Sequence, residues 1–396
     1  MKFALYTISY SPHQIPLAKS LMKIFGESEY RYVSAQPTKE ERRILGWGGD
    51  ENIKWNIQEW KDREQARKVI ESAEVLMCGE RDCELLEQRC RQGLKTIYCS
   101  ERWFKPFIGI FRLIKPSFLK MALKFVKLLR KNDKIYYFPI GLYAARDMAR
   151  LCGLLSGDLR CLFKMPNLNF EHRPCGKIWL KDEPQEKSKK YCLDKMRIWG
   201  YFVEPTRYDN NEFSSLQSMP KRRKEIKILW VGRLLKLKRV DTIIRAVCEL
   251  ANRKNTNTQL SSITLDIYGN GPEEMPLKKM VQGYEDLIKF HTPVPISVVR
   301  KLMREHNIYV LASNGYEGWG AVVSEALEEG MKVIGTYEAG STITILPSER
   351  LFHSGDWQAL SILLEKESRD ELPSCTVKNW NAARAAEYIV EWIDMI

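Results

Sequence analysis

Two short apolar runs, Ile308 to Leu311 (IYVL) and Lys332 to Gly335 (KVIG), enclose a stretch from Ala321 to Glu329 whose apolar residues recur at helical spacing. A strand, a loop, a helix and a second strand in that order read as a crossover between parallel neighbours, and this limits the fold more than any other segment does. The same alternation runs through the rest of the chain. Lys2 to Ser9, Tyr30 to Ser34, Glu74 to Cys78, Thr96 to Cys99 and Lys134 to Ile140 read as strands, with helical stretches at Ile15 to Phe25, Glu80 to Gln92 and Leu142 to Leu154. Further on, Glu225 to Val231 and Ser262 to Tyr268 read as strands around a helix from Val240 to Asn252. The pattern predicts an α/β protein with parallel sheets covered by helices on both faces, whose ligands bind at the carboxyl ends of the strands.

A chain of 396 residues exceeds one ordinary core, so two domains are expected. A charged loop from Lys177 to Lys195 and a last strand, Arg197 to Val203, close the first domain, 1–208; the aperiodic segment Asp209 to Lys224, ending in KRRK, is the linker; 225–376 is the second domain. The amphipathic stretch Val377 to Ile396, with Trp380, Tyr388 and Trp392, is a final helix. Residues 1–224 hold 43 Lys+Arg against 27 Asp+Glu, whereas 225–396 hold 20 against 23, so the first half faces something anionic. Ten cysteines without a C-x-x-C pair or metal-type spacing to the five histidines read as free thiols in a reducing compartment. MKFALYTISYSPHQ is too short and too weakly apolar for a secretory signal and no run reaches membrane-spanning length, so a cytoplasmic protein, soluble or peripheral on the inner face of the plasma membrane, is expected.

The chemistry concentrates in the second half. After Glu225 to Val231 come Gly232, Arg233 and Lys238: two cations beside a strand end and near a helix start, a combination suited to a diphosphate. Ser262 to Tyr268 ends in Gly269-Asn270-Gly271-Pro272, which by itself is also an ordinary turn before a helix. In the 308–335 unit, Glu317 precedes Gly318, Trp319 and Gly320, and Glu325 follows on the helix. Glycines let a backbone approach a ligand, and free amides at a helix start favour an anion. The carboxylates are read as partners for hydroxyls. Phosphates in the middle and hydroxylated rings at both ends describe a nucleotide sugar.

Glu317-x7-Glu325 around Gly-Trp-Gly resembles the paired-glutamate signature of family 4 glycosyltransferases, retaining enzymes of the GT-B fold. The resemblance implies two Rossmann-like domains facing across a cleft, the last helix crossing back to the first domain. It implies that Arg233 and Lys238 hold the donor diphosphate, that Gly269 and Gly271 line the nucleotide cleft, and that a loop at Thr292 to Val294 lies by the base. Glu325 would bind the ribose hydroxyls, and Glu317, with the amides of Gly318, Trp319, Gly320, Ala321 and Val322, would position sugar and phosphate. No D-x-D motif occurs, so no metal is expected, and no cofactor beyond the nucleotide-sugar co-substrate. An epimerase of the same fold and a donor-binding protein without activity are the rival readings.

YSPHQIPLAKSL, EERRILGW and SERWFK resemble a bacterial branch of that family that builds surface polysaccharides such as capsule or O-antigen. Gln14 and Ile15 replace the glycine pair that more familiar members carry in the first loop, which weighs against a phosphate role there. His13 and Glu101, each just after a strand, are the candidate catalytic residues on the acceptor side, where a lipid-linked or other saccharide is expected. Arg102 to Lys134 holds ten basic residues against Asp133 alone, interleaved with aromatic rings. Such a stretch suits an anionic membrane surface, or packs on the sheet with its lysines in water. No nucleic-acid motif accompanies it, so nucleic acid is not an expected partner.

Overall fold

The computed structural model describes residues 1–44, 46, 52–79, 83–104, 106, 109–181, 185–203, 225–256, 262–375 and 380–395. The expected linker, 209–224, lies outside the described residues. The chain forms two compact units, Met1–Val203 with Asn379–Ile396, and Glu204–Lys378.

The first unit is built on a parallel sheet of six strands, β1 (Phe3–Ser9), β2 (Tyr30–Gln36), β3 (Asn56–Gln58), β4 (Val75–Cys78), β5 (Lys95–Ser100) and β6 (Ile135–Pro139), in the order β3-β2-β1-β4-β5-β6. This is the doubly wound order of dinucleotide-binding folds, which switches direction between β1 and β4. β3 escapes the sequence pattern because three residues show no period. Three more strands, β7 (Leu168–Phe170), β8 (Gly176–Leu180) and β9 (Arg197–Ile198), form a small antiparallel sheet. The segment expected as an exposed loop therefore holds a strand with Ile178 and Leu180 buried, and Tyr191, Cys192 and Leu193 are buried after it. The expected last strand is reduced to β9, followed by a single bridge from Trp199 to Ile140. Charge density misled here: the lysines point outward from short elements whose apolar residues pack inward.

The final helix, Ala382–Asp394, belongs to the first unit. It buries Ala385, Ala386, Ile389, Trp392 and Ile393 and packs on the helix Ile15–Phe25. Trp392 lies edge-on to Tyr136 at 4.5 Å and to Phe138 at 5.1 Å, and Lys95 Nζ donates to the Ile393 carbonyl at 3.0 Å. The helix Pro116–Lys131 buries Phe118, Ala122, Phe125, Val126 and Leu129 against the sheet. Trp103 and Phe104 are also buried, so most of the aromatic rings read as a membrane face are core; Phe107 and Ile108 lie outside the described residues. Phe111, Ile114, Leu119 and Leu123 remain exposed.

The second unit repeats the order with β10 (Glu225–Val231), β11 (Ser262–Tyr268), β12 (Ile288–His291), β13 (Ile308–Leu311), β14 (Lys332–Thr336) and β15 (Leu351–Phe352), arranged β12-β11-β10-β13-β14-β15. Alternate residues of β10 feed two cores, as period two requires. Ile226, Ile228 and Trp230 pack with the helix Val240–Thr256, and Leu229 packs with Tyr309, Leu311 and Val333. The switch point falls between β10 and β13, so the loops after these strands, which carry Arg233 and Glu317, flank the crevice where such sheets bind ligands.

The nine cysteines whose side chains are described are free thiols, seven of them buried. Burial raises the Cys99 and Cys175 thiols well above the usual range, which keeps them unreactive.

Candidate active site

The loop after β10 is fastened to the loop after β11 by backbone hydrogen bonds. The Gly232 amide donates to the Tyr268 carbonyl at 3.0 Å, Leu234 to Asn270 at 2.8 Å and Glu273 to Leu234 at 3.1 Å. A Cβ on Gly269 would lie 1.9 Å from the Gly232 carbonyl oxygen, and one on Gly271 2.4 Å from that of Leu234. Both glycines are thus required by the close approach of the Arg233 loop, a structural duty that the cleft-lining expectation did not include. Arg233 itself is exposed, and it takes part in no ion pair among the described residues.

Lys238 closes the short 3-10 turn Lys236–Lys238. The Asn314 amide donates to the Leu237 carbonyl at 2.8 Å and so joins this turn to the loop after β13. Across that joint Lys238 Nζ forms an ion pair with Glu317 Oε2, which also accepts from Ser313 Oγ at 2.9 Å. Glu317 Oε1 has no protein partner among the described residues, so one carboxylate oxygen is fixed and the other is open to a hydroxyl. Ser313 was not anticipated, although its place two residues beyond a buried strand was the available signal.

The Gly318-Trp319-Gly320 segment is held from its carbonyl side. Gly340 and Ser341, at the start of the helix Gly340–Ile345, donate their amides to the Gly318 and Trp319 carbonyls at 3.2 and 2.8 Å, and Ser341 Oγ donates to that of Gly320 at 3.1 Å. Gly320 adopts φ 84°, the left-handed region open to glycine, with Leu311 Cδ2 2.9 Å from where a Cβ would be. Trp319 is buried beneath the loop. With their carbonyls engaged, the amides of Gly318, Gly320, Ala321 and Val322 donate to no protein group among the described residues; Val323 is bonded to Gly320 at 3.1 Å. These amides are available to an anion.

Glu325 lies on the helix Val322–Glu328 and is buried. Burial pushes its carboxyl up, Arg300 opposes that, and Glu329 adds to it. Glu329 is fully buried in an ion pair with Arg300 and a second with Arg304 at 2.9 Å, both arginines on the helix Ile296–Glu305. The Tyr309 hydroxyl, raised well above its usual range first by burial and then by Glu317 and Glu325, places both glutamates within electrostatic reach of one point. Arg300, Glu329 and Tyr309 have no motif to mark them; only the fold brings them in. At the end of β12, His291 Nε2 meets Asp266 Oδ1 at 2.6 Å and its ring stacks on Tyr268 at 4.3 Å, while His306 Nε2 holds Asp266 Oδ2 at 3.2 Å.

In the first unit, His13 and Glu101 line one cavity of about 960 Å³ at the carboxyl ends of β1, β2, β4 and β5, together with Lys39, Arg42, Trp199 and Tyr201. Burial first and Arg42 second lower His13 to about 4, so its imidazole is neutral at pH 7. The Tyr201 hydroxyl donates to Glu101 Oε1 at 3.2 Å, and its ring lies 6.2 Å from that of His13. Lys39, Arg42, Trp199 and Tyr201 were not among the expected site residues.

Residues 212–384 match the family model described as Glycosyl transferases group 1. Over 153 residues the chain is 29% identical to the UDP-N-acetylglucosamine--peptide N-acetylglucosaminyltransferase GtfA subunit of Streptococcus pneumoniae, a match covering 38% of this chain and 27% of the relative. The chain thus spans about a quarter of the curated relative's length. Its fold is similar to that of HepE from Anabaena, solved in complex with UDP, at TM-score 0.61 and 12% identity, with all of both chains covered. It is also similar to the lipopolysaccharide outer core galactosyltransferase WaaB, at TM-score 0.60 and 13% identity, covering 100% of this chain and 99% of the other.

Proposed function

We propose, from a GT-B chain whose second half is of the glycosyl transferases group 1 type, that this protein moves a sugar from a nucleotide-sugar donor to a saccharide acceptor with retention of configuration. The observation that carries this reading is the joint at Lys238, Glu317 and Ser313. It fixes one oxygen of a carboxylate, leaves the other without a partner among the described residues, and is followed along the chain by the unbonded amides of Gly318 and Gly320 to Val322. A sugar hydroxyl pairs with the open oxygen, and the diphosphate takes the amides and Arg233. Charge that develops on the leaving phosphate is met by dipoles and cations already in place, with no metal needed.

The acceptor hydroxyl attacks the anomeric carbon from the leaving-group side. The bond from C1 to the phosphate oxygen breaks as that from C1 to the acceptor oxygen forms, and the hydroxyl proton passes to the departing phosphate. A UDP-sugar donor is favoured by the GtfA relatives, whose names specify UDP-N-acetylglucosamine. The acceptor occupies the cavity of the first unit, with His13 and Glu101 hydrogen-bonding to it. A lipid-linked acceptor at the cytoplasmic membrane face, in surface-polysaccharide synthesis, draws support from the exposed Phe111, Ile114, Leu119 and Leu123 amid Lys115, Lys120 and Lys127. No helix among the described residues is long and apolar enough to cross a membrane.

The test is a panel of UDP- and GDP-sugars incubated with the protein, with and without membrane lipid extract. Transfer or slow hydrolysis that yields the α-anomer from an α-linked donor supports the reading. Release of a free epimerised sugar identifies an epimerase, and binding without turnover identifies a non-catalytic protein.

A further inference from the structure

On the helix Leu142–Leu155 of the first unit, two neighbouring residues meet opposite surroundings. Asp147 is fully buried and turns to the loop after β5, where its Oδ2 accepts from the Phe104 amide at 3.0 Å and pairs with Arg102 Nε at 3.5 Å. Among the described residues Arg146 makes no hydrogen bond or ion pair; its guanidinium lies over the ring of Tyr143, 5.6 Å from the centroid. Arg102 lies over the same ring at 4.7 Å, so two cations share one tyrosine. Burial lowers the Arg146 guanidinium, Tyr143 opposes that, and Arg102 adds to it. The Arg146 Nε-H is buried without an acceptor, which costs about 1–3 kcal/mol. The contact with Tyr143 offsets about 0.5–1 kcal/mol of that. Its two Nη groups are not buried and have no protein acceptor among the described residues. Bonds within the protein therefore do not account for a guanidinium held in this place; the partner of its Nη side lies outside the protein.

We infer that Arg146 holds a phosphate group through its two Nη groups, at a site on the first unit backed by Tyr143 and strengthened by the charge of Arg102. Paired guanidinium donors match two oxygens of a phosphate, and a ring against the guanidinium limits its rotation. The two arginines carry one positive charge more than Asp147 balances, which an anion neutralises and a neutral sugar does not. Two carriers present this chemistry, a soluble sugar phosphate and a lipid headgroup. The exposed Phe111 and Ile114 favour the second, because their segment is tied to the same loop by Arg112 Nη1, which donates to the Trp103 carbonyl at 2.7 Å. Phosphate held here requires no sugar transfer, so the site stands apart from the transferase reading.

The test is binding to the full chain in the presence of UDP, which fills the proposed donor site. Calorimetry compares glucose 1-phosphate with glucose, and sedimentation compares vesicles of phosphatidylglycerol with vesicles of the phosphate-free digalactosyldiacylglycerol. Arg146→Gln, which removes the charge and keeps most of the stem, is expected to weaken a phosphate-bearing probe about tenfold or more with little change in Tm. Arg146→Lys, which keeps the charge without the paired donors, should weaken it about threefold, and decides the matter if the glutamine variant unfolds. Lys131→Ala, an exposed lysine of the same unit, should cost about twofold or less. A response in calorimetry identifies a soluble phosphate, and one confined to vesicles identifies a headgroup. No preference for either phosphate-bearing probe over its phosphate-free counterpart, or a preference that Arg146→Gln reduces no more than Lys131→Ala does, would overturn the inference. A chain that binds no UDP would instead count against the transferase reading, and the comparison of variants would still hold.

Discussion

The two units share one strand order and differ in how they hold their charges. In the second, the ionic groups of the site are locked to one another: Lys238 to Glu317, and Arg300 and Arg304 to Glu329. In the first, Lys39, Arg42 and Glu101 line one cavity, where the Tyr201 hydroxyl donates to the Glu101 carboxylate. The contrast teaches that a single topology supports both a loop pair locked by ions and a cavity lined by charges of both signs. A ligand of fixed shape, such as the proposed diphosphate, suits the locked arrangement.

The strongest way to break the contrast is to remove the deepest lock. Glu329→Ala leaves the half-buried Arg300 and Arg304 without this partner, and is expected to destabilise the second unit by about 3 kcal/mol, the low end of the cost of breaking a buried ion pair. Chemical denaturation followed by a probe in that unit measures it; a loss below about 1 kcal/mol would show that the cluster is not ionic in solution.

Next comes the neutral histidine of the first unit. His13 at about 4 lies below its ordinary 6.5, so between those pH values the unfolded chain takes up a proton that the folded one refuses. Stability from this group is full above pH 6.5 and falls as pH drops toward 4, by about 3 kcal/mol in all. His13→Gln should flatten that slope in denaturation curves taken across the range.

Turnover then tests the joint itself. Glu317→Gln keeps the shape but weakens the pair with Lys238, and should lower kcat about 100-fold, as loss of a preorganised electrostatic group does. Arg233→Ala, which removes an exposed cation, should lower it about tenfold with little change in Tm. An Arg233 effect equal to that of Glu317 would put the two on one footing and blur the distinction drawn above. The smallest effect belongs to the basic helix: Lys120→Glu and Lys127→Glu should each weaken binding to anionic vesicles by about 1 kcal/mol per basic residue lost, and unaltered sedimentation would remove the membrane role.

Much of the second unit was legible because β10, β11, β13 and β14 are largely apolar runs of four to seven residues and its motifs sit at strand ends, where topology puts ligands. Arg233, Lys238, Glu317 and Glu325 could be named from order and spacing. What each one touches could not. The Lys238 to Glu317 pair spans 79 residues, and the reason Gly269 is glycine is an oxygen of Gly232 on the neighbouring loop. In the first unit the reading erred where charge was dense: β8 and the buried Tyr191 to Leu193 lay in a segment rich in lysine, and the rings of Trp103 and Phe104 went to the core. Side-chain charge says which residues reach water, not whether the backbone between them is strand or loop.

By itself the sequence determined the alternation of strand and helix, the doubly wound class and the residue types at the strand ends, because these follow from local periodicity and from the geometry of parallel crossovers. The tertiary structure alone decided that Glu317 has one bound oxygen, that Glu325 lies near Arg300 and the buried Glu329, and that Lys39, Arg42 and Glu101 line one cavity. Those are properties of distance between groups far apart in the chain, and distance is set only when the sheets close and their faces are packed.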